Sequence, residues 1–299
     1  MCDDIIYRNL RFAIFGNVYQ PKKSASIFRV LELLREYNSQ VIIDRELYDF
    51  LTKQTGEKLK GVGIFSNDDF DADIVLSLGG DGTFLNAASR VAHKEIPILG
   101  INMGRLGFLA DVGMQEFEDC LCSIYHDDYF IDERELLQIK ADGFLFEGHD
   151  CALNDIAILK RDNASMITIQ ASVNDEYLTT YQADGLIIST STGSTAYSLS
   201  NGGPIIVPRT HVFSMTAVAP HSLNTRPIVI PDDAVIKLKV QSRNHTYLVA
   251  IDGRSERCIE DATLNISKAP YKIRIVKRSG NNYFSTLREK MMWGADRRG

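Results

Sequence analysis

Residues 72–92 read ADIVLSLGGDGTFLNAASRVA. A nearly continuous apolar run, residues 72–78, ends in Gly-Gly-Asp-Gly, and a helix-forming segment follows over about residues 83–92. Such a run suits a strand of a parallel sheet covered on both faces. A glycine turn that opens a helix at the C-terminal end of such a strand is where open α/β sheets bind ligands. Gly79, Gly80 and Gly82 let backbone N–H groups approach phosphate oxygens, and the helix start adds partial positive charge. Asp81 puts a carboxylate where anions would gather. It can act as a general base on a hydroxyl, help to hold a magnesium ion, or cap a tight turn. Neither GxxxxGK[ST] nor GxGxxG occurs, so a Walker-type loop is excluded and the dehydrogenase dinucleotide fold is disfavoured.

Working outward, the same alternation continues on both sides. LRFAIFGN, residues 10–17, reads as a strand. Residues 24–37 place Ile27, Val30, Leu31 and Leu34 at spacings of three and four, an amphipathic helix opened by Ser24. QVIID is a second strand, followed by a helical pattern to about residue 53, and IPILGIN follows the glycine-turn helix as another strand. This order predicts an open, mostly parallel, doubly wound α/β domain. Near residue 129 short β-rich runs take over, among them MITIQASVND, EYLTTYQADGLIIST, HVFSMTAVAP and TYLVAIDG. The tail, NNYFSTLREKMMWG, reads as helical at its end and is expected to pack back on the first domain. The expected division is residues 1–128 plus 278–299 for the α/β domain and 129–277 for a β-rich domain.

The chain has 299 residues, a net charge of −6, 44% hydrophobic and 24% charged residues. The acidic balance argues against a general nucleic-acid binder but leaves room for an anionic small ligand held by local donors. No apolar run reaches the roughly 18 residues of a membrane span, and the N-terminus lacks a signal-peptide pattern. The five cysteines, an odd and scattered set, predict thiols rather than a disulfide framework or a zinc site, and hence a cytoplasmic protein.

Three further stretches carry chemistry. ADGLIISTSTGSTAYSLSNGGPIIVP, residues 183–208, holds eight serines and threonines after an apolar strand. Its hydroxyls and turn backbone can bind ribose, phosphate or base edges. Asp184 can accept from an amide or amine, and Tyr197 can stack on a base. ALNDIAILK carries Asn154 and Asp155 into a strand, where a solvated turn is the simpler reading. GINMGRLGFLA, residues 100–110, carries Arg105, which can meet a phosphate.

Together these stretches resemble the NAD kinase family. The family pattern has a GGDGT loop, an NxGxLGFL segment, an Asn-Glu pair and a TGSTAYSLSxGGPI segment. Here they stand as GGDGTFL, NMGRLGFL, LNDIAIL and TGSTAYSLSNGGPIIVP, in that order. APHSLNTRPIVIP, the IDG at 251–253 and the terminal LREKMMWG also look like family features. The resemblance implies transfer of the ATP γ-phosphate to the adenosine-ribose 2′-hydroxyl of NAD, with Mg2+ or another divalent cation carried by ATP and no tightly bound prosthetic group. It implies a site between the two domains and a homodimer or homotetramer, with NAD and ATP as partners. Asp81 matches the family's proposed catalytic aspartate. Asn154 and Asp155 match its substrate-binding pair, although Asp155 stands where the family usually has the longer Glu. Gly82, Phe84, Asp184, Thr192, Thr195, Ala196, Tyr197 and Ser200 complete the expected NAD-binding set. Gly79, Gly80, Gly82 and Arg105 form the expected phosphate side. The rivals are a lipid or sphingoid-base kinase, which shares GGDGT, and a non-catalytic NAD sensor, which would have no need of Asp81.

Overall fold

The computed structural model describes residues 8–18, 24–104, 106–143, 146, 150–161, 165–260, 262–278 and 283–292. The chain divides into two compact units, Met1–Glu133 with Ile273–Gly299, and Arg134–Lys272.

The first unit is built on strands β1 (Arg11–Gly16), β2 (Gln40–Asp44), β3 (Gly63–Phe65), β4 (Ile74–Gly79), β5 (Ile98–Asn102) and the short β6 (Val112–Gly113). The first five run in the order β3-β2-β1-β4-β5, all parallel. Every residue of β4 and β5 is buried, as the uninterrupted apolar pattern requires of central parallel strands. Helices α1 (Ser24–Glu36), α2 (Arg45–Thr55) and α3 (Asp81–Val91) alternate with the strands. Helix α1 buries Ile27, Val30, Leu31 and Leu34, the residues its spacing had singled out. A further helix, α4 (Phe117–Tyr125), has no counterpart among the sequence expectations. It buries Phe117, Cys120, Leu121, Ile124 and Tyr125, a regular three-and-four spacing.

The second unit is antiparallel. It comprises most of β7 (Phe130–Ala141), β8 (Cys151–Ala152), β9 (Asp155–Lys160), β10 (Ile167–Val173), β11 (Glu176–Ala183), β12 (Gly185–Thr190), β13 (Val212–Val218), β14 (Ile228–Pro231), β15 (Ile236–Gln241), β16 (Thr246–Ile251), β17 (Arg254–Ile259) and most of β18 (Thr263–Lys277). One sheet has the order β14-β13-β12-β9-β16-β17. Against its inner face lie strands β10, β11 and β15, and Ile156, Ile158, Ile188, Phe213, Tyr247 and Val249 share a core with Ile169, Leu238 and Val240. The last residues of β18 belong to the first unit, where Ile275 pairs with Ile98 of β5.

Helix α6 (Tyr283–Met291) lies against the first unit: the Tyr283 ring is 6.3 Å from Phe108, and Lys290 Nζ is 5.6 Å from the same ring. Cys120, Cys151 and Cys258 are buried free thiols. Among the described residues no helix is long and apolar enough to cross a membrane.

Candidate active site

In the first unit, β4 hands the chain to α3 through the glycine turn, with Gly80 as the residue before the helix and Asp81 as its first residue. The three glycines serve different ends. A Cβ on Gly79 would lie 2.1 Å from Thr83 Oγ1, so the fold itself demands glycine there. Gly80 and Gly82 have open space where a Cβ would stand, and neither has a positive φ. These glycines do not supply left-handed backbone: two of the three are simply bare, and their bareness leaves the helix start open to a ligand.

Asp81 is not a free carboxylate at the mouth of the turn. Its Oδ2 accepts the Phe108 N–H at 2.9 Å, and its Oδ1 accepts the Leu109 and Ala110 N–H groups, each at 3.0 Å. Residues 107–110 thus wrap the aspartate. Gly107 makes this possible, because a Cβ there would sit 2.1 Å from Asp81 Oδ1. A carboxylate offers about four acceptor positions, so Oδ1 is filled and Oδ2 keeps one direction for a further donor. The wrapping segment is itself fixed. Asn102 Nδ2 donates to Val112 O at 3.2 Å, and the buried Lys277 donates to Asp111 Oδ2 at 2.5 Å. Phe84 is fully buried and accepts no exposure to a ligand through its ring. Arg105 lies outside the described residues.

In the second unit, Asn154 and Asp155 enter β9 at the same end of the sheet as the close of β12, where Ser189 pairs with Asp155. Gly193 presses on this corner: a Cβ there would lie 2.0 Å from Asn154 O. Thr190 Oγ1 donates to Leu153 O at 2.6 Å and accepts the Gly193 N–H at 3.0 Å. The serine- and threonine-rich stretch is not a loose loop. Ser189 and Thr190 belong to β12, residues Gly193–Thr195 form a 3₁₀ turn, and Tyr197–Ser200 form the one-turn helix α5. Many of its hydroxyls are spent internally. Ser194 Oγ donates to Ser191 O at 2.8 Å and accepts the Ile206 N–H at 3.0 Å. Ser198 Oγ and Thr216 Oγ1 are 3.0 Å apart, and Thr192 Oγ1 accepts Arg134 at 3.2 Å.

What remains accessible is a smaller set. Thr195 and Ala196 are half-buried, Tyr197 is 40% exposed and Ser200 is exposed. Asn154 is half-buried, and its side-chain amide has no partner among the described residues. Asp155 is buried, at 6% exposure. Burial first, and then the negative charge of Asp252, push its carboxyl up to about 7, while the Tyr197 N–H works the other way. Asp252 itself accepts the backbone N–H groups of Leu153, Asn154 and Asp155. Sequence reasoning passed over Asp252 as part of an IDG feature without a role. The signal was present: Asp-Gly directly after the apolar run TYLVAI marks a two-residue hairpin turn.

Asp184 stands apart from this group. It precedes β12 at the Gly185 end, whereas Asp155 pairs at the Ser189 end. Four to five residues of strand separate them, roughly 15 Å at the rise of a β-strand. Its Oδ1 is paired with Lys160 Nζ at 2.7 Å. Within the second unit, then, Asn154, Asp155, Thr192, Thr195, Ala196 and Tyr197 come together, and Asp184 does not join them.

Comparison with known proteins agrees with this architecture. Residues 12–129 match the family described as the ATP-NAD kinase N-terminal domain, and residues 153–278 the ATP-NAD kinase C-terminal domain. The chain is 54% identical over 289 residues to the NAD kinase of Bacteroides fragilis, covering 97% of this chain and 100% of that protein. It is 41% identical over 285 residues to the NAD kinase of Porphyromonas gingivalis, covering 95% and 98%. Its fold is shared with yeast NADH kinase complexed with NADH, at a TM-score of 0.85 and 22% identity over 98% of this chain and 89% of that one. It is shared also with an NAD kinase from Archaeoglobus fulgidus in complex with ATP, at a TM-score of 0.74 and 24% identity over 95% and 99%.

Proposed function

We propose that this chain, which belongs to the NAD kinase family, transfers the γ-phosphate of ATP to the 2′-hydroxyl of the adenosine ribose of NAD, giving NADP and ADP. The observation that carries the reading is the glycine turn: Gly80 and Gly82 are bare where the fold does not need glycine, at a helix start beside a carboxylate that keeps one acceptor direction open.

The 2′-hydroxyl oxygen attacks the γ-phosphorus, the bond to the β,γ-bridging oxygen breaks, and ADP leaves. Asp81 accepts the hydroxyl proton at Oδ2, its less occupied oxygen. The amides of residues 108–110 hold that carboxylate in place before substrate arrives, so no reorganisation accompanies the transfer. Phosphoryl transfer asks mainly for alignment and charge neutralisation. Mg2+ carried with ATP as part of the substrate would supply charge neutralisation at the phosphates. The three amide N–H groups on Asp81 hold its carboxylate in a fixed orientation. Asn154 and Asp155 hold ribose hydroxyls, and the exposed Tyr197 ring stacks on a base. Asp184, with its Lys160 partner, is retained in the NAD-binding set as a position to be tested. The protein is expected to act in the cytoplasm as a homodimer or homotetramer, which light scattering on purified protein decides.

The direct test crosses NAD and NADH with ATP and polyphosphate and measures NADP formation. ATP-dependent NADP formation is expected. Phosphorylation of diacylglycerol but not of NAD would overturn the reading in favour of a lipid kinase, and NAD binding without turnover would leave a sensor.

A further inference from the structure

We infer that Asp252 is a positioning residue for NAD: from the tip of the β16–β17 hairpin its carboxylate fixes the backbone of residues 153–155 and so aims the Asn154 and Asp155 side chains at the dinucleotide. This rests on the NAD kinase reading of the Asn154–Asp155 pair.

The turn is as tight as a hairpin allows. Ile251 pairs with Arg254, leaving Asp252 and Gly253 as its two central residues, with φ of 47° and 82°. Two positive φ values in sequence belong to a type I′ turn, which matches the twist of the strands it joins. Aspartate tolerates the left-handed region and glycine favours it. At this tip the Asp252 N–H donates to Asp155 O at 3.0 Å. Returning the other way, Oδ2 accepts the Leu153 N–H at 2.8 Å, and Oδ1 accepts Asn154 N–H at 2.8 Å and Asp155 N–H at 3.2 Å. One carboxylate therefore organises three consecutive amides nearly a hundred residues earlier in the chain.

The same short segment is gripped from its carbonyl side. Thr190 Oγ1 holds Leu153 O, the Thr190 N–H donates to Asn154 O at 3.0 Å, and Gly193 closes against Asn154. With N–H and C=O groups engaged on both sides, the peptide planes on either side of Asn154 are held, and with them the direction of its Cα–Cβ bond. The Tyr197 N–H at the start of α5 favours the charged form of the Asp155 carboxyl.

A neutral asparagine would also make a tight turn, so the charge at position 252 needs a separate reason. Three hydrogen-bonded N–H groups favour the charged form of Asp252, whereas only the Tyr197 N–H favours that of Asp155. When the two buried carboxyls share a proton, it belongs on Asp155. Burial pushes the Asp252 carboxyl up as well, but the Leu153, Asn154 and Asp155 N–H groups and Arg254 all work against that, so of the two it is the one whose charged form has more support. The charged groups acting on the pair are the two carboxylates themselves and Arg254, which acts on Asp252. Ribose hydroxyls are donors and favour the ionised Asp155, so binding draws its proton off.

The test uses the full chain and the variant Asp252→Asn, which keeps size and turn preference but loses the charge and one acceptor oxygen. NAD affinity by calorimetry across pH 6 to 8.5 is read beside steady-state kinetics. The variant is expected to raise KM for NAD at least tenfold while KM for ATP stays within about twofold. In the wild type NAD affinity should rise as pH passes about 7, and in the variant that rise should move to lower pH, because the repelling charge is gone. A folded variant with wild-type KM for NAD and an unmoved pH profile overturns the inference, as does one in which both KM values rise alike. Should the variant fail to fold, the wild-type amide protons of Leu153, Asn154 and Asp155 are followed by NMR. A shared midpoint near 7 that NAD moves downward supports the role, and amides indifferent to pH and NAD overturn it. Wild-type turnover separates the two readings: no NADP formation sinks the kinase, whereas normal turnover with an inert Asp252→Asn sinks only the positioning role.

Discussion

Asp81→Asn tests whether one carboxylate serves both chemistry and architecture. The substitution keeps the size of the side chain but turns one oxygen into an NH2 group. If the amide oxygen stays on the side of Leu109 and Ala110, the NH2 group faces the Phe108 N–H, donor against donor. An amide left without its acceptor costs about 1–3 kcal/mol, and the two surviving bonds lose the strengthening of an ionised acceptor. Asp81 is only partly buried, so water offsets part of this loss and places the net at the lower end, about 1–2 kcal/mol. For a chain of this size that lowers Tm by roughly 2–8 °C. Loss of the base should cut turnover by about 10²–10⁴-fold. The assay is a coupled measurement of NADP formation beside a thermal melt, with NAD and ATP both saturating. Wild-type turnover in the variant would refute the base assignment. An unchanged Tm would refute the claim that the carboxylate anchors residues 108–110.

Three other outcomes follow from the geometry. Gly193→Ala drives a Cβ to 2.0 Å from Asn154 O and should cost about 1–3 kcal/mol and raise KM for NAD more than it changes KM for ATP; a wild-type KM would show that this corner can move without consequence. The Asp155 carboxyl, raised from 3.8 to about 7, binds its proton more tightly folded than unfolded, so stability is greatest at low pH and falls as pH rises from about 4 to about 7, by at most about 4 kcal/mol. Urea unfolding of wild type and Asp155→Asn at pH 5 and pH 8 reads this directly, and equal slopes in the two proteins would remove Asp155 as the source. Asp184→Ala breaks a partly exposed pair with Lys160 and should alter stability by under about 1 kcal/mol while weakening NAD binding; unchanged affinity by calorimetry takes Asp184 out of the binding set.

Much of the first unit was legible because its signals are local. The apolar run into Gly79 and Gly80 named β4 and α3, and the spacing of Ile27, Val30, Leu31 and Leu34 named the buried face of α1. Helix α4 was as legible by the same spacing and was passed over between more conspicuous motifs. The Asp-Gly at 252–253 was a readable hairpin signal, but its consequence was not, since the amides it holds lie 97 to 99 residues away.

The sequence alone determined the parallel α/β start, the β-rich remainder and the glycine turn that carries Asp81, since periodicity and turn chemistry act between near neighbours. Only the tertiary structure decided how polar groups were allotted. Five of the buried hydroxyls after residue 188, those of Ser189, Thr190, Thr192, Ser194 and Ser198, went to internal bonds, leaving Thr195, Tyr197 and Ser200 among the accessible ones. Asp81 became a carboxylate held by three amides, and Asp155 a buried acid governed by Asp252. The reason is that a buried polar group must find its partner wherever the fold brings one, and that partner's distance along the chain is not written in any local pattern.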